Sequence, residues 1–119
     1  MAIDRQFASH VEEIFSGLGP VRIKPMFGGA GVYVGELMFA LIAGDALYLR
    51  ADSEIEDRFR EAGSEPFVYP GRDGRELKMN YWRAPEDVLE GPDEAEPWAR
   101  LALDAALRKL AAKAKLRKR

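Results

Sequence analysis

The sequence predicts a small α+β domain in which helices pack on an antiparallel sheet. Three observations predict it: helical spacing of apolar residues at both ends of the chain, two-residue alternation between them, and glycine-containing turns that separate the alternating segments. A chain of 119 residues buries one core comfortably. We therefore expect a single domain over residues 1–119, with the order α-β3-α-β2-α, one five-stranded antiparallel sheet and a basic helical tail at 108–119.

The first helix and the first sheet segment are predicted from their different periods. Asp4 precedes Phe7, Val11 and Ile14, whose spacing is that of an amphipathic helix with an aspartate at its N-cap. Residues 21–34 alternate instead with a period of two, which predicts one long strand bent at its glycines.

Residues 37–42 and 46–50 are predicted as the next two strands of a meander, because glycine turns precede both. In residues 37–42, Phe39 and Leu41 are expected on one face, and Ala40 and Ile42 on the other. Both faces of this strand are therefore apolar and need cover. Helices are expected on one face, and the remaining helix or a second copy of the chain on the other, so we expect a homodimer.

The second half of the chain supplies a helix, two strands and a long helix. Ser53 and Glu56 have capping-box spacing, and Gly63 is placed to end the helix that follows them. Residues 65–70 contain two prolines, which predicts an edge strand, and residues 77–82 form the fifth strand. A short turn begins at Pro85. The last helix begins at Asp93, and two apolar stripes are predicted along it: Trp98, Leu101, Ala102 and Ala105, and Leu103, Leu107, Leu110 and Ala114.

Composition excludes several functions. The chain has no cysteine, which rules out disulfides, thiolate nucleophiles and cysteine-containing zinc sites. The start of the chain is charged where a signal peptide is apolar, and no apolar run approaches the length of a membrane span. We expect a cytoplasmic protein without a cofactor.

Charge is distributed unevenly. The last twelve residues hold seven Lys and Arg residues and no acid, which leaves residues 1–107 with a net charge of −9. Such a body repels phosphate backbones, so only the tail is expected to attract nucleic acid. The simpler interpretation of the tail is that its cations interact favourably with the negative, C-terminal end of the helix dipole. The candidate nucleic-acid contacts of the tail are Arg108, Lys109, Lys113, Lys115 and Arg117, and a nucleic-acid-binding module would add Arg22, Lys24 and Lys78 from the strands.

No local motif predicts catalysis. His10 is the single histidine and lies beside the apolar stripe of the first helix, as a structural histidine would. The glycines at 28, 29 and 31 lack the complete fingerprint of a phosphate-binding loop, so a strand bend is favoured over an anion site. Asn80 and Trp82 share a strand face with Lys78, which fits either a recognition surface or the core. A small-ligand site at the glycines and Trp82 remains an alternative.

Several ordered segments resemble one family. Residues 24–33 read KPMFGGAGVY, residues 38–42 read MFALI, residues 47–52 read LYLRAD, and residues 79–85 read MNYWRAP. Together they are similar to the TfoX (Sxy) N-terminal domain pattern, over roughly residues 5 to 110. The candidate interaction or signature residues are Met26, Phe27, Gly28, Gly29, Gly31, Tyr33, Asn80, Tyr81, Trp82, Arg83 and Pro85.

The resemblance implies a fold and a function. It implies a fold similar to type III secretion chaperones and a non-enzymatic role, because TfoX proteins promote competence gene expression with the cyclic-AMP receptor protein at promoters. Full-length members carry a second helical domain, and we expect this chain to be a standalone member without it. The predicted partner is a protein, with nucleic acid as the alternative through the tail.

Overall fold

A computed structural model describes residues 4–26, 29–70 and 76–117, except for the side chains of residues 69–70, 76–79 and 116–117. It is an α+β fold with one antiparallel sheet, as the sequence predicts, but the sheet has six strands rather than five, in the order β1-β2-β3-β4-β6-β5. The elements are α1 Arg5–Ile14, β1 Val21–Met26, β2 Gly29–Val34, β3 Leu37–Ala43, β4 Ala46–Arg50, α2 Glu56–Glu61, β5 Pro66–Pro70, β6 Glu76–Arg83 and α3 Pro92–Arg117. Short 3-10 turns lie at Ser16–Leu18 and Glu86–Glu90.

The prediction of one bent strand over residues 21–34 is wrong. The chain reverses there, and β1 pairs antiparallel with β2 from Val21 opposite Val34 to Met26 opposite Gly29. The connecting residues, Phe27 and Gly28, lie outside the described residues. A two-residue connection shifts the alternation by one residue, so odd-numbered residues face the helices in β1 and even-numbered residues do so in β2. The glycines at 28, 29 and 31 carry no side chain, which hides this shift in the sequence pattern.

The helices pack on one face of the sheet. The core joins residues of α1 and α3 to alternate residues of the central strands, including Val32, Ala40 and Leu49, all fully buried. Helix α2 adds Phe59, whose ring stacks at 6.3 Å from that of Trp82 in β6. The expectation that a remaining helix covers the second face is therefore wrong for the described part of the chain.

A register shift in β3 changes which residues reach the core. Val32 pairs with Ala40, but the next residue, Tyr33, pairs with Met38, which leaves Phe39 as an extra residue on β3. Phe39 is fully buried, and its ring meets Phe15 edge to face at 5.0 Å. Phe39 and Leu41 were predicted on one face, and this bulge places them on opposite faces.

Most helix ends follow the sequence, with one exception. The Asp4 carboxylate accepts the backbone N–H of Gln6 at 2.9 Å, as predicted for the N-cap of α1, and Gly63 adopts a left-handed φ of 82° after α2. The prediction of a capping box at Ser53 is wrong. Helix α2 begins at Glu56, and the Asp52 carbonyl accepts the N–H groups of Ile55 and Glu56 instead.

The last helix has the predicted inner stripe but an exposed second one. Ala102 and Ala105 are buried, whereas Leu107 and Leu110 are 48% and 53% exposed. The prediction that the second stripe continues to Ala114 therefore fails beyond Leu103, which is the member packed against the core. No helix within the described residues is both long and apolar enough to cross a membrane.

Candidate functional site

The face of the sheet opposite the helices is the candidate functional site, and strand register identifies its residues. Directly paired residues of an antiparallel sheet point to the same side. We call this side the open face; its described residues are Arg22, Lys24, Met26, Gly29, Gly31, Tyr33, Met38, Leu41, Ala43, Ala46, Tyr48, Arg50, Phe67, Tyr81 and Arg83. None of them belongs to the core that joins the sheet to the helices.

One row of the open face crosses most of the sheet. Lys24 pairs with Gly31, Gly31 with Leu41, Leu41 with Tyr48 and Tyr48 with Arg83, so the row runs over β1, β2, β3, β4 and β6. Neighbouring strands lie about 4.8 Å apart, which makes the row roughly 19 Å long. Lys24 and Arg83, both exposed, stand at its two ends.

Aromatic rings and arginines are paired on the open face. The Arg22 guanidinium lies 5.3 Å from the centroid of the Tyr33 ring, and that of Arg50 lies 5.3 Å from the Tyr81 ring. Arg50 also donates a hydrogen bond of 2.6 Å to the Tyr81 hydroxyl. Burial raises the pKa of Tyr81, and the Arg50 charge opposes that rise, so the phenol stays protonated at neutral pH.

A second aromatic pair lies near the Arg83 end of the row. The rings of Tyr48 and Phe67 meet edge to face with centroids 4.8 Å apart, and both residues are half-buried. An edge-to-face contact of this kind stabilises the pair and joins β4 to the edge strand β5 across β6. Phe67 comes from the edge strand β5, so two distant parts of the chain build this pair.

Two glycines shape the open face for different reasons. A Cβ on Gly29 would lie 2.1 Å from the backbone oxygen of Ile42, so glycine is required for the approach of the backbones. A Cβ on Gly31 would meet the Tyr33 ring at 2.9 Å and the Met38 sulfur at 3.0 Å. Gly31 therefore leaves the space in which those side chains converge. Both glycines lie within β2 rather than before a helix, so neither forms the kind of phosphate-binding loop that opens a helix.

Charge is segregated between the two sides of the molecule. The open face carries Arg22, Lys24, Arg50 and Arg83, and no carboxylate stands among its described residues. The acidic residues of the first 107 positions lie instead mainly in helices, turns and connections. Residues 1–107 carry a net charge of −9, yet the open face is basic. The net charge alone therefore does not reveal this surface.

The basic segment at the end of α3 is a separate feature. Arg108 donates from Nε and Nη2 to the two oxygens of Asp52, at 2.6 and 2.9 Å, and its Nε lies 2.5 Å from Glu54. This hydrogen bonding lowers the pKa of Asp52 below its usual value. Lys109, Lys113 and Lys115 are exposed, and the side chain of Arg117 lies outside the described residues.

The single histidine, His10, makes a contact to the backbone of another element. His10 Nε2 lies 2.6 Å from the backbone oxygen of Leu89, which ties α1 to the 3-10 turn Glu86–Glu90. A shallow groove beside it is lined by Arg5, Gln6, Ser9 and Glu13. Within the ranges that the structure describes, no three His, Asp or Glu side chains are grouped closely enough to hold a metal ion.

The structure divides the signature residues predicted from sequence between the two faces. Met26, Gly31, Tyr33, Tyr81 and Arg83 lie on the open face. Trp82 is 4% exposed and belongs to the core, and Asn80 lines a groove beside Asp52 and Arg108 on the helix side. Pro85 precedes the 3-10 turn, as predicted.

Five larger side chains of the open face were absent from the predicted site residues: Met38, Leu41, Tyr48, Arg50 and Phe67. The alternation of β4 places Tyr48 and Arg50 on the side opposite Leu47 and Leu49, so that signal was present in the sequence. The side chain of Lys78, predicted beside Asn80, lies outside the described residues.

A family model for the TfoX N-terminal domain matches residues 13–106. The chain belongs to the TfoX N-terminal domain family. The match contains all of the open face and stops just before Arg108. The family domain in this chain is thus the sheet with its helices, and the basic segment beyond residue 107 lies outside the matched region.

Two curated relatives share parts of this TfoX N-terminal domain. The chain is 40% identical over 65 residues to the DNA transformation protein TfoX1 of Aliivibrio fischeri, which covers 51% of this chain and 31% of the relative. It is 27% identical over 99 residues to the protein Sxy of Escherichia coli, which covers 82% of this chain and 46% of the relative. The chain thus matches less than half the length of either relative.

Proposed function

We propose that this TfoX N-terminal domain is a non-enzymatic regulatory module of competence-type gene expression that acts by binding a macromolecule on its open face. The observation that carries the proposal is the placement of the helices: they cover one face of the sheet and leave the other with exposed cations and half-buried aromatic rings. Exposed clusters of arginine and tyrosine are typical of binding surfaces.

The residues of the open face are better suited to binding than to catalysis. The ionisable groups among its described residues are arginines, a lysine and tyrosines. No carboxylate or histidine stands beside them to act as a general base. His10 lies on the helix side and is engaged by the Leu89 carbonyl. The name of one relative, the DNA transformation protein TfoX1, supports regulation of DNA uptake as the process.

The family resemblance favours a protein partner of the transcription machinery, met in the cytoplasm, and a nucleic acid is the alternative occupant of the open face. The homodimer predicted from the two apolar faces of β3 would use the same surface. Two copies joined face to face would bring Arg22, Lys24 and Arg83 near their own counterparts, which is unfavourable without acids to pair them. Sedimentation at high micromolar concentration tests this, and we expect a monomer.

Transcript measurements in the native host test the proposed function. Removing the gene should change the transcript levels of DNA-uptake genes, and restoring the wild-type chain should reverse that change. A chain with Arg22→Gln, Lys24→Gln and Arg83→Gln should fail to restore them at equal protein level. A matched control, with Arg5→Gln, Arg58→Gln and Arg100→Gln on the helix side, should restore them. Full restoration by the open-face variant would contradict the proposal.

A further inference from the structure

The charge and the rings of the open face specify its ligand more narrowly than the family does. Arg22, Lys24 and Arg83 are exposed beside the partly exposed rings of Tyr33 and Tyr48, on a surface without described carboxylates in a molecule that is otherwise acidic. Cations and rings are neighbours there: Arg22 lies over Tyr33, and Tyr48 pairs in register with Arg83. A ligand for this surface must offer both negative charge and flat apolar groups.

We propose, as a refinement that rests on the function proposed above, that the open face binds single-stranded nucleic acid. Its phosphates would lie against Arg22, Lys24 and Arg83, and its bases would stack on the rings of Tyr33 and Tyr48. Sequence-tolerant binding of single strands combines these two elements, a basic track along the backbone and aromatic side chains beneath the bases.

The dimensions of the open face suit a few nucleotides. The row from Lys24 to Arg83 spans five strands, or roughly 19 Å. Sheets of comparable width in RNA-binding domains stack two or three bases on their aromatic residues. Tyr33 on β2 and Tyr48 on β4 are separated by β3, or about 10 Å across the sheet, so they would contact different bases.

Other occupants fit less well. A duplex hides the faces of its bases, so rings on a sheet have nothing to stack on. An acidic peptide satisfies the cations but not the rings, and a second copy of this chain brings cations against cations. The basic segment of α3 offers Lys109, Lys113 and Lys115 but has no aromatic residue among its described positions, so it provides charge without stacking.

Fluorescence anisotropy with labelled oligothymidylate and oligouridylate of about twelve nucleotides tests the proposal. We expect binding of one or both, weakening steeply with salt, and weaker binding of a duplex of equal length. Comparing the affinities for oligothymidylate and oligouridylate shows whether DNA or RNA is the preferred strand. The full chain is used throughout.

Charge-matched pairs of substitutions locate the surface. Arg22→Gln with Lys24→Gln should weaken binding at least tenfold and flatten the salt slope by about 0.7 for each phosphate that is no longer neutralised. Arg5→Gln with Arg58→Gln, on the helix side, should change neither the affinity nor the slope. Lys113→Gln with Lys115→Gln tests the tail, and we expect it to weaken binding less than the open-face pair does.

Ring variants separate stacking from charge. Tyr48→Leu keeps the apolar bulk but removes the ring, and should weaken binding about tenfold, whereas Tyr48→Phe should bind like the wild type. Thermal melting of each variant verifies that it is folded. If Tyr48→Leu melts at a lower temperature than the wild type, the two single variants Tyr33→Leu and Tyr33→Phe make the same comparison at the other ring.

The outcomes separate this proposal from the broader one. Absence of binding to either single strand, or binding abolished only by the tail pair, overturns the nucleic-acid ligand. If the open-face variant still fails to restore transcripts in that case, the surface acts on a protein partner, and the proposed function stands. If the open-face variant restores transcripts fully, the proposed function itself fails, whatever the oligonucleotides do.

Discussion

The two faces of the sheet are made from alternate residues of the same strands, yet they differ in every property that matters for function. On the helix-covered face, Val32, Ala40 and Leu49 are fully buried and uncharged. On the open face, their neighbours Tyr33, Leu41 and Tyr48 are only half-buried and stand among arginines. The comparison teaches that one face determines whether the chain folds, while the other is available to determine what it binds.

Truncating one leucine on each face gives the largest expected contrast. Leu49→Ala should lower the free energy of unfolding by about 3 kcal/mol, because it opens a cavity in a fully packed core. Leu41→Ala, on the open face of β3, should cost only about 1 kcal/mol, since its side chain is half-exposed before the change. Denaturant unfolding measures both. Equal losses would mean that the open face is packed as a second core.

The two glycines of β2 sharpen the comparison at the level of the backbone. Gly29→Ala should destabilise the domain by about 2 kcal/mol, because its Cβ would collide with the Ile42 carbonyl oxygen, which cannot rotate away. Gly31→Ala meets the ends of the Tyr33 and Met38 side chains, which can shift, and should cost less than about 1 kcal/mol. Thermal melting ranks the two, and a reversed order would contradict this account of their roles.

The ion pair between Asp52 and Arg108 gives a smaller, pH-dependent effect. The pKa of Asp52 is lowered in the folded state, so its contribution is present at neutral pH and is lost as the pH falls below about 4. Asp52→Asn should cost about 0.5–1 kcal/mol at pH 7, because both partners are about one-third exposed.

The control for that ion pair is Glu54→Gln, which removes a more exposed partner of the same arginine and should cost less. The difference between wild type and Asp52→Asn should shrink progressively as the pH falls below about 4, because the Asp52 carboxylate becomes protonated. A difference that stays constant down to about pH 2 would assign the effect to something other than the charge of Asp52.

The elements that the sequence predicts are those whose signals are local. Asp4 marks the start of α1, Gly63 the end of α2, and the prolines of residues 65–70 an edge strand, because each acts within a few residues of itself. The short connection between β1 and β2 shifts the alternation by one residue, but the glycines at 28, 29 and 31 carry no side chain that would reveal the shift. The extra residue Phe39 is likewise invisible to a pattern that assumes regular alternation.

The open face is harder to predict because its members come from separate strands. Met26, Gly31 and Tyr33 lie close in sequence and were predicted together, but Tyr48 and Phe67 meet only through the pairing of β4 with β6 and of β6 with β5. The burial of Trp82 depends on Phe59 of α2, a contact that sequence spacing does not encode. Tertiary pairing, rather than any motif, therefore assembles the surface.

Thiol labelling tests most directly whether the open face is the working surface. The chain contains no cysteine, so a single introduced cysteine is a unique probe. Arg22→Cys lies on the open face and Arg58→Cys on the exposed side of α2. We predict that Arg22→Cys reacts more slowly in living host cells than as purified protein, while Arg58→Cys reacts equally in both. Equal rates at Arg22→Cys, or protection at Arg58→Cys alone, would contradict the account.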